Sequence, residues 1–296
     1  MSMPNPDSPT TRPPRFSLIV STRDRLPELE NFLTHLESQT WQDFEILVTD
    51  QSSGDGVSAL LQRHAFRQKY LRSDQVGLAN GRNAGLQLAQ GDIFAIPDDD
   101  CWYPTDLLET VAQWFDAHPG IDMLCVVECN PQGDPMVPQK PPPAGLCTDQ
   151  AIGLSMKRSV WLAQSSMVFM RREVRDAIGG FDQSIGVGSG NKYQSGEETD
   201  YFLRAMHAGF TMWFEPSIRV FHPELRELRR IRKTNYPYSV GNGHLLRKHG
   251  CGLPLLLAVA CRSFGGAIVS ALRGKFDYVP IYLRRGVGIL VGYFGL

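Results

Sequence analysis

Three adjacent carboxylates, Asp98, Asp99 and Asp100, are the sharpest chemical feature of the chain. Carboxylates at one point repel one another unless a cation or a proton compensates them. Hard divalent cations such as Mg2+ and Mn2+ take oxygen ligands and keep waters and phosphate oxygens in their shell. One or two of these side chains could therefore hold a metal against a diphosphate; a solvated acidic turn before the next helix is the other reading. A second acidic group, Gly196-Glu197-Glu198-Thr199-Asp200-Tyr201, opens a helical pattern. A carboxylate there can take a proton from an attacking hydroxyl, and acidic residues also favour a helix N-terminus on electrostatic grounds alone. His222, followed by Pro223, offers an imidazole that can ligate Mn2+ or play a structural part. No nucleophilic triad stands out. The glycines between 77 and 85 do not form a GxGxxG run after a strand, so a dinucleotide fingerprint is not supported.

The elements that must position these groups follow from periodicity. Residues 16–21, 44–49, 93–97 and 123–127 are short apolar runs that predict buried strands. Helical spacing covers 26–39, 57–67, 78–90 and 106–117. This alternation predicts an α/β fold with a mostly parallel central sheet flanked by helices. Ligands of such sheets bind beyond the carboxyl ends of the strands, where the polar segments after Ser21, Thr49 and Pro97 fall. Further on, 167–170 reads as a strand, 198–208 as a helix, and 212–214 and 218–221 as two short strands. The six prolines in 128–150 and the four glycines in 186–196 read as flexible loops.

The 296 residues carry a net charge of −1, which argues against bulk binding to nucleic acid. That total hides a division: residues 1–222 hold 18 basic and 28 acidic side chains, whereas 223–296 hold 12 and 3. Residues 1–14 read as a disordered, proline-rich leader without the apolar run of a signal peptide. The six cysteines form no CxxC pair and fit free thiols in a reducing cytosol. Residues 223–296 read as a basic, apolar helical extension. Their apolar stretches at 253–272 and 287–296 are interrupted and flanked by Arg and Lys, which fits an interfacial segment better than a spanning one. Arg226, Arg229, Arg230, Arg232 and Lys233 cluster at its start. The expectation is peripheral contact with the cytoplasmic face of a membrane, at about 1 kcal/mol for each basic residue; simple packing on the preceding domain is the alternative.

In this order the motifs resemble those of the family 2 glycosyltransferases. The match runs from Ile19-Val20-Ser21-Thr22-Arg23-Asp24-Arg25 through Gln39-Thr40-Trp41 and Asp50-Gln51-Ser52-Ser53 to Arg82-Asn83-Ala84-Gly85. It continues in Asp98-Asp99-Asp100, Met167–Arg172, Gly179-Gly180-Phe181-Asp182 and the 196–201 segment, covering about residues 15–223. The resemblance implies a GT-A fold over 15–222 and transfer of a sugar, with inversion, from a nucleotide diphosphate donor, UDP-linked, to a saccharide or lipid-linked acceptor in polysaccharide synthesis. It implies Glu198 as base, with Glu197 and Asp200 beside it. Asp100, Asp98 and His222 would hold Mn2+ or Mg2+. Thr22, Arg25, Asp50, Arg82, Asp98 and Asp99 would meet the nucleotide, and Trp102, Ser165 and Ser166 the sugar or acceptor. Two departures stand out: Glu198 takes the slot of an Asp, and Thr49 that of an acidic residue in the nucleotide turn. A sugar-phosphate nucleotidyltransferase lacks support because no Gly- and Lys-rich triphosphate loop is present. A non-catalytic nucleotide-sugar-binding scaffold is opposed by the intact acidic set.

Overall fold

The computed structural model describes residues 12–137, 143–147, 164–223 and 228–296. Residues 1–11 of the expected leader, and Arg226 of the basic cluster, lie outside them. Nine described strands form one sheet in the order β3-β2-β1-β4-β8-β5-β9-β7, with β6 pairing β5 off that path. The parallel half comprises β1 (Phe16–Thr22), β2 (Phe44–Asp50), β3 (Arg67–Arg72) and β4 (Ile93–Ala95). Both faces of β1 and β2 are covered, and every residue of β2 is buried. A continuous apolar run rather than an alternating one is what such a strand requires. Helix α1 (Leu26–Glu37) buries Leu29, Phe32, Leu33 and Leu36 on one face, with Pro27 in its first turn. Helix α2 spans Gly56–Leu61 and α4 spans Leu107–Ala117.

Helix α3 (Leu78–Leu88) packs closely against the side chains of β1. A Cβ added at Gly81 would sit 2.1 Å from Ser21 Oγ, and one at Gly85 2.6 Å from Ile19 Cγ2. These glycines set the distance between helix and strand.

In the second half, β8 (Val168–Arg171) runs antiparallel between β4 and β5 (Met123–Cys129), and β9 (Met212–Phe221) is parallel to β5. Because β8 is reversed, its first residues lie at the edge where β4, β5 and β9 end. Helices α5 (Arg172–Ile178) and α6 (Glu197–His207) stand between β8 and β9 in sequence.

Several expectations change. The helix read at 57–67 stops at Leu61, and its end gives way to β3. β3 is an edge strand of mostly polar, half-exposed residues, so it lacks the apolar signature of its neighbours. Instead of a flexible loop throughout 128–150, the described parts include β6 (Pro135–Val137) and β7 (Gly145–Cys147). The two short strands expected at 212–221 are one, with a register shift against β5 between Cys125 and Val127.

The chain ends in α7 (Leu228–Lys248), α8 (Leu253–Leu272) and α9 (Val279–Phe294). Glycines let α7 and α9 meet backbone to backbone. A Cβ at Gly243 would fall 2.0 Å from Ile289 O, and one at Gly292 1.9 Å from Val240 O. A second, small apolar cluster of Leu246, Cys251, Leu256 and Ile289 ties the three helices together. We expect Gly292→Ala to lower stability by about 1–3 kcal/mol through overpacking. Gly265, in α8, has open space at its Cβ position, so Gly265→Ala should raise stability by up to about 1 kcal/mol. Thermal and urea unfolding of both variants checks the contrast.

Candidate active site

The carboxyl ends of β1, β2 and β4 open on a cavity of about 310 Å³. Thr22, Arg25, Gln51, Gly77, Asp98, Asp99, Asp100, Gly188 and His222 are among its lining residues, with Tyr238 contributed by α7. Thr22 Oγ1 donates to Asp99 Oδ2 at 2.7 Å, which joins the end of β1 to the acidic turn after β4. Arg25 pairs with Asp99 at 3.2 Å and also with Asp100. The glycine-rich loop closes over one side: Val187 O accepts from Leu78 N at 2.9 Å.

His222 reaches the acidic turn because the chain on either side of the cavity is pinned. Trp102 and Phe221 exchange two backbone hydrogen bonds, at 2.9 and 3.0 Å, and their rings stack with centroids 5.9 Å apart. That bridge sets His222 Nε2 3.0 Å from Asp100 Oδ1. Ligand atoms of Asp98, Asp100 and His222 all lie within 4.8 Å of one another. His222 Nδ1 donates to Pro223 O at 2.9 Å, so Nε2 is the ring nitrogen turned to the carboxylates and the one that would ligate a metal once deprotonated. Two carboxylates and an imidazole suit Mn2+, and the carboxylates suit Mg2+; the donor set therefore fits the expected metal.

Arg82 is 1% exposed and forms the hub of a second cluster. Its guanidinium donates to Asp98 at 3.1 Å, Glu197 at 3.2 Å, Glu198 at 3.2 Å and Ser165 Oγ at 2.6 Å. Burial opposes its charge, but Glu198, Asp98 and Glu197 together keep the guanidinium firmly protonated. Ser165 Oγ donates in turn to Glu198 Oε1 at 2.8 Å. The side chain of Glu197 is 5% exposed and that of Glu198 23%. Burial, then the charge of Glu198, pushes the Glu197 carboxyl up to about 7. Of the two, only Glu198 can present a carboxylate to a molecule arriving from solvent.

The structure thus brings Thr22, Arg25, Asp98, Asp99, Asp100 and His222 together around the cavity, with Glu198 one guanidinium away from Asp98. Other expected residues have different surroundings. Asp50 is fully buried and accepts from Tyr70 Oη at 2.9 Å, Arg72 at 2.9 Å and Ser52 N at 2.8 Å. Arg82 does not line the cavity, and neither does Trp102, whose ring is taken up by Phe221. Ser166 is buried and donates to Glu128 at 2.8 Å. Asp200 is wholly buried, paired with Arg204 and Lys248 and in contact with His249 Nε2. Gln51, Tyr238 and Glu128 were not singled out as site residues from sequence. Gln51 carried a signal, its place at a strand end beside Asp50; Tyr238 and Glu128 carried none.

Burial works against the charge of His222, but Asp100 beside it pushes the imidazole up to about 9. Burial also opposes the Asp100 carboxylate, yet His222 and Arg25 pull it down to about 2. In metal-free protein the raised imidazole contributes stability in full below about pH 6.5 and loses it as pH climbs through about 9. On the acid side the pair fails as Asp100 protonates near pH 2. Thermal melts in chelator should show His222→Gln melting below wild type at about pH 6, with the gap closed by about pH 10.

The profile of Glycosyl transferase family 2 matches residues 17–179. An uncharacterized glycosyltransferase of Haemophilus influenzae is 26% identical over 196 residues, covering 64% of this chain and 62% of its own. Glycosyltransferase AglE of Haloferax volcanii is 24% identical over 247 residues, covering 80% and 75%. Among solved structures, S. aureus TarS aligns with a TM-score of 0.60 at 17% identity, covering 95% of this chain and 92% of that one. TarS has also been solved with UDP and with UDP-GlcNAc. The mannosyltransferase PcManGT of Pyrobaculum calidifontis, solved with GDP-Man and Mn2+, aligns with a TM-score of 0.60 at 17% identity, covering 96% and 88%. These structures share the GT-A fold with this chain. The sheet, the acidic turn at its edge and the profile match together place the chain in glycosyl transferase family 2, as a glycosyltransferase.

Proposed function

We propose that the chain transfers a sugar from a nucleotide diphosphate donor to a hydroxyl of a saccharide or lipid-linked acceptor in a single inverting displacement. The observation that carries this reading is the adjacency of two clusters. Asp98 lines the donor cavity and shares one guanidinium with Glu198. A single displacement needs a base on the acceptor hydroxyl and stabilisation of the leaving diphosphate, and no covalent nucleophile. Glu198 is the base: its carboxylate takes the hydroxyl proton as the acceptor oxygen attacks the anomeric carbon. Arg82 and Ser165 hold that carboxylate in place. Thr22, Gln51 and Gly77 shape the slot for the nucleoside, and Arg25 faces the diphosphate. Asp98, Asp100 and His222 would hold Mn2+ or Mg2+, which supplies positive charge to the departing diphosphate. The resemblance, and the UDP-GlcNAc complex of a structural neighbour, support a UDP-sugar as donor.

In this reading residues 15–222 are the catalytic domain and 223–296 an extension that meets the cytoplasmic face of a membrane, where a lipid-linked precursor of a surface polysaccharide would lie. Helix α8 is long and apolar enough to cross a membrane by length and composition alone. Its outer face exposes Leu257 (56%), Ile268 (63%) and Leu272 (82%), followed by Phe276 (70%). Arg273 and Lys275 flank that face, which favours an anionic interface.

Two outcomes are expected. Glu198→Gln keeps the nucleotide-dependent rise in melting temperature and loses about 10²–10⁴-fold in kcat; near-full turnover would move the base elsewhere. The full chain floats with anionic vesicles, less at high salt, and a Leu257→Asp/Ile268→Asp/Leu272→Asp variant stays at the bottom of the gradient. Equal flotation of the two would defeat the membrane reading.

A further inference from the structure

Asp200 lies in the acidic segment of the base yet has no chemistry left to perform. It is 0% exposed, and both oxygens are engaged. Oδ1 meets Lys248 Nζ at 2.7 Å and His249 Nε2 at 2.9 Å, and Oδ2 accepts from Arg204 Nε at 2.9 Å. Burial opposes its charge, but these three donors hold its carboxyl well below the usual carboxylate range. Such a group takes no proton from a sugar hydroxyl near neutrality.

Its position gives it another use. Asp200 sits in the first turn of α6, two residues beyond Glu198, where the chain enters the helix through Gly196 with φ of 99°. Two of its three partners come from outside α6: Lys248 ends α7 and His249 follows it. Lys248 Nζ also meets Asp182 at 2.6 Å, in the loop after α5. Arg204 continues to the carbonyls of Ile178 at 2.9 Å and Gly180 at 2.7 Å. In that loop Phe181 stacks on Tyr201, with centroids 4.4 Å apart, and trades two hydrogen bonds with Asn83, the neighbour of Arg82. The contacts close a ring from α7 through the start of α6 to α3 and back to Glu198. Helix α7 also touches the donor side, through Tyr238 in the cavity wall and the bond from Ser195 Oγ to Tyr238 O at 2.7 Å.

We propose that Lys248 and His249 are positioning residues for the base: by gripping Asp200 they fix the first turn of α6 and so the carboxylate of Glu198 against Arg82 and Ser165. The proposal rests on Glu198 being the base. Without the grip, Asp200 Oδ1 loses both its partners and Arg204 alone faces this buried carboxylate. The first turn then moves toward water, and Glu198 leaves its place. Displacement of a reacting group by about 1 Å costs up to about 10²-fold in rate.

The test uses the full-length protein, with wild type, Glu198→Gln, the double variant Lys248→Met/His249→Phe, and the conservative Lys248→Arg and His249→Gln. The expected result is a loss of about 10–10²-fold in kcat for the double variant. Donor KM stays within about two-fold, because uniform binding is untouched. The thermal shift given by the nucleoside diphosphate with Mn2+ is retained. His249→Gln, which keeps a side-chain N–H, recovers most of the turnover. Two results overturn the proposal while leaving the base in place: unchanged kcat in the double variant, or kcat, donor KM and nucleotide-dependent shift all failing together, as simple misfolding would give. Full turnover in Glu198→Gln overturns both readings, and inactive wild type across the donor panel strikes at glycosyl transfer itself.

Discussion

A guanidinium that is 1% exposed must be neutralised by its neighbours. Leaving one such charge unpaired in the interior costs several kcal/mol. Arg82 meets this demand with Asp98, Glu197 and Glu198, three carboxylates from two distant parts of the chain. The same demand holds in the other direction, because Glu197 is also buried. Neither the acidic turn after β4 nor the start of α6 can move without uncovering a charge. Arg82 therefore joins the acidic turn at the cavity to the acidic start of α6, and the remaining contacts adjust around it.

The sheet explains why these groups can meet. The ends of β1, β2, β4, β5 and β9 share one edge, and the reversal of β8 brings Ser165 and Ser166 to that edge from the start of a strand rather than its end. The Trp102–Phe221 bridge then sets His222 beside Asp100. Each of these is a backbone arrangement, and each places a side chain within hydrogen-bond distance of a partner more than 30 residues away.

The apolar strands, the acidic turn and the start of α6 were legible because burial on both faces and clustered carboxylates leave strong marks in a sequence. β3 left none, since an edge strand of Arg, Gln, Lys and Tyr has no apolar face to show. The motif of Arg82 was visible, but its partners were not: whether a guanidinium meets a phosphate or a buried glutamate depends on the depth of α3 beneath the surface. Trp102 offered an aromatic face, and only the register of β9 shows that Phe221 occupies it. Lys248 and His249 sit in a basic stretch that composition assigned to a surface, whereas their partner is the least exposed acid of α6. Charge counts report how many cations a segment has, not which carboxylates they meet.

The near-contact of α3 with β1 bears on how such a protein can diverge. Gly81 and Gly85 leave no room for a side chain between α3 and the Ser21 and Ile19 side chains of β1, so these close contacts fix the depth of Arg82. Arg23, Val76 and Val187, exposed loop residues that line the cavity, can accept substitutions without disturbing that seat. The exposed cavity wall and the Arg82 cluster thus draw on different sets of residues. Descendants of one ancestor could reshape the cavity through loop changes while inheriting the same buried guanidinium and the same helix untouched.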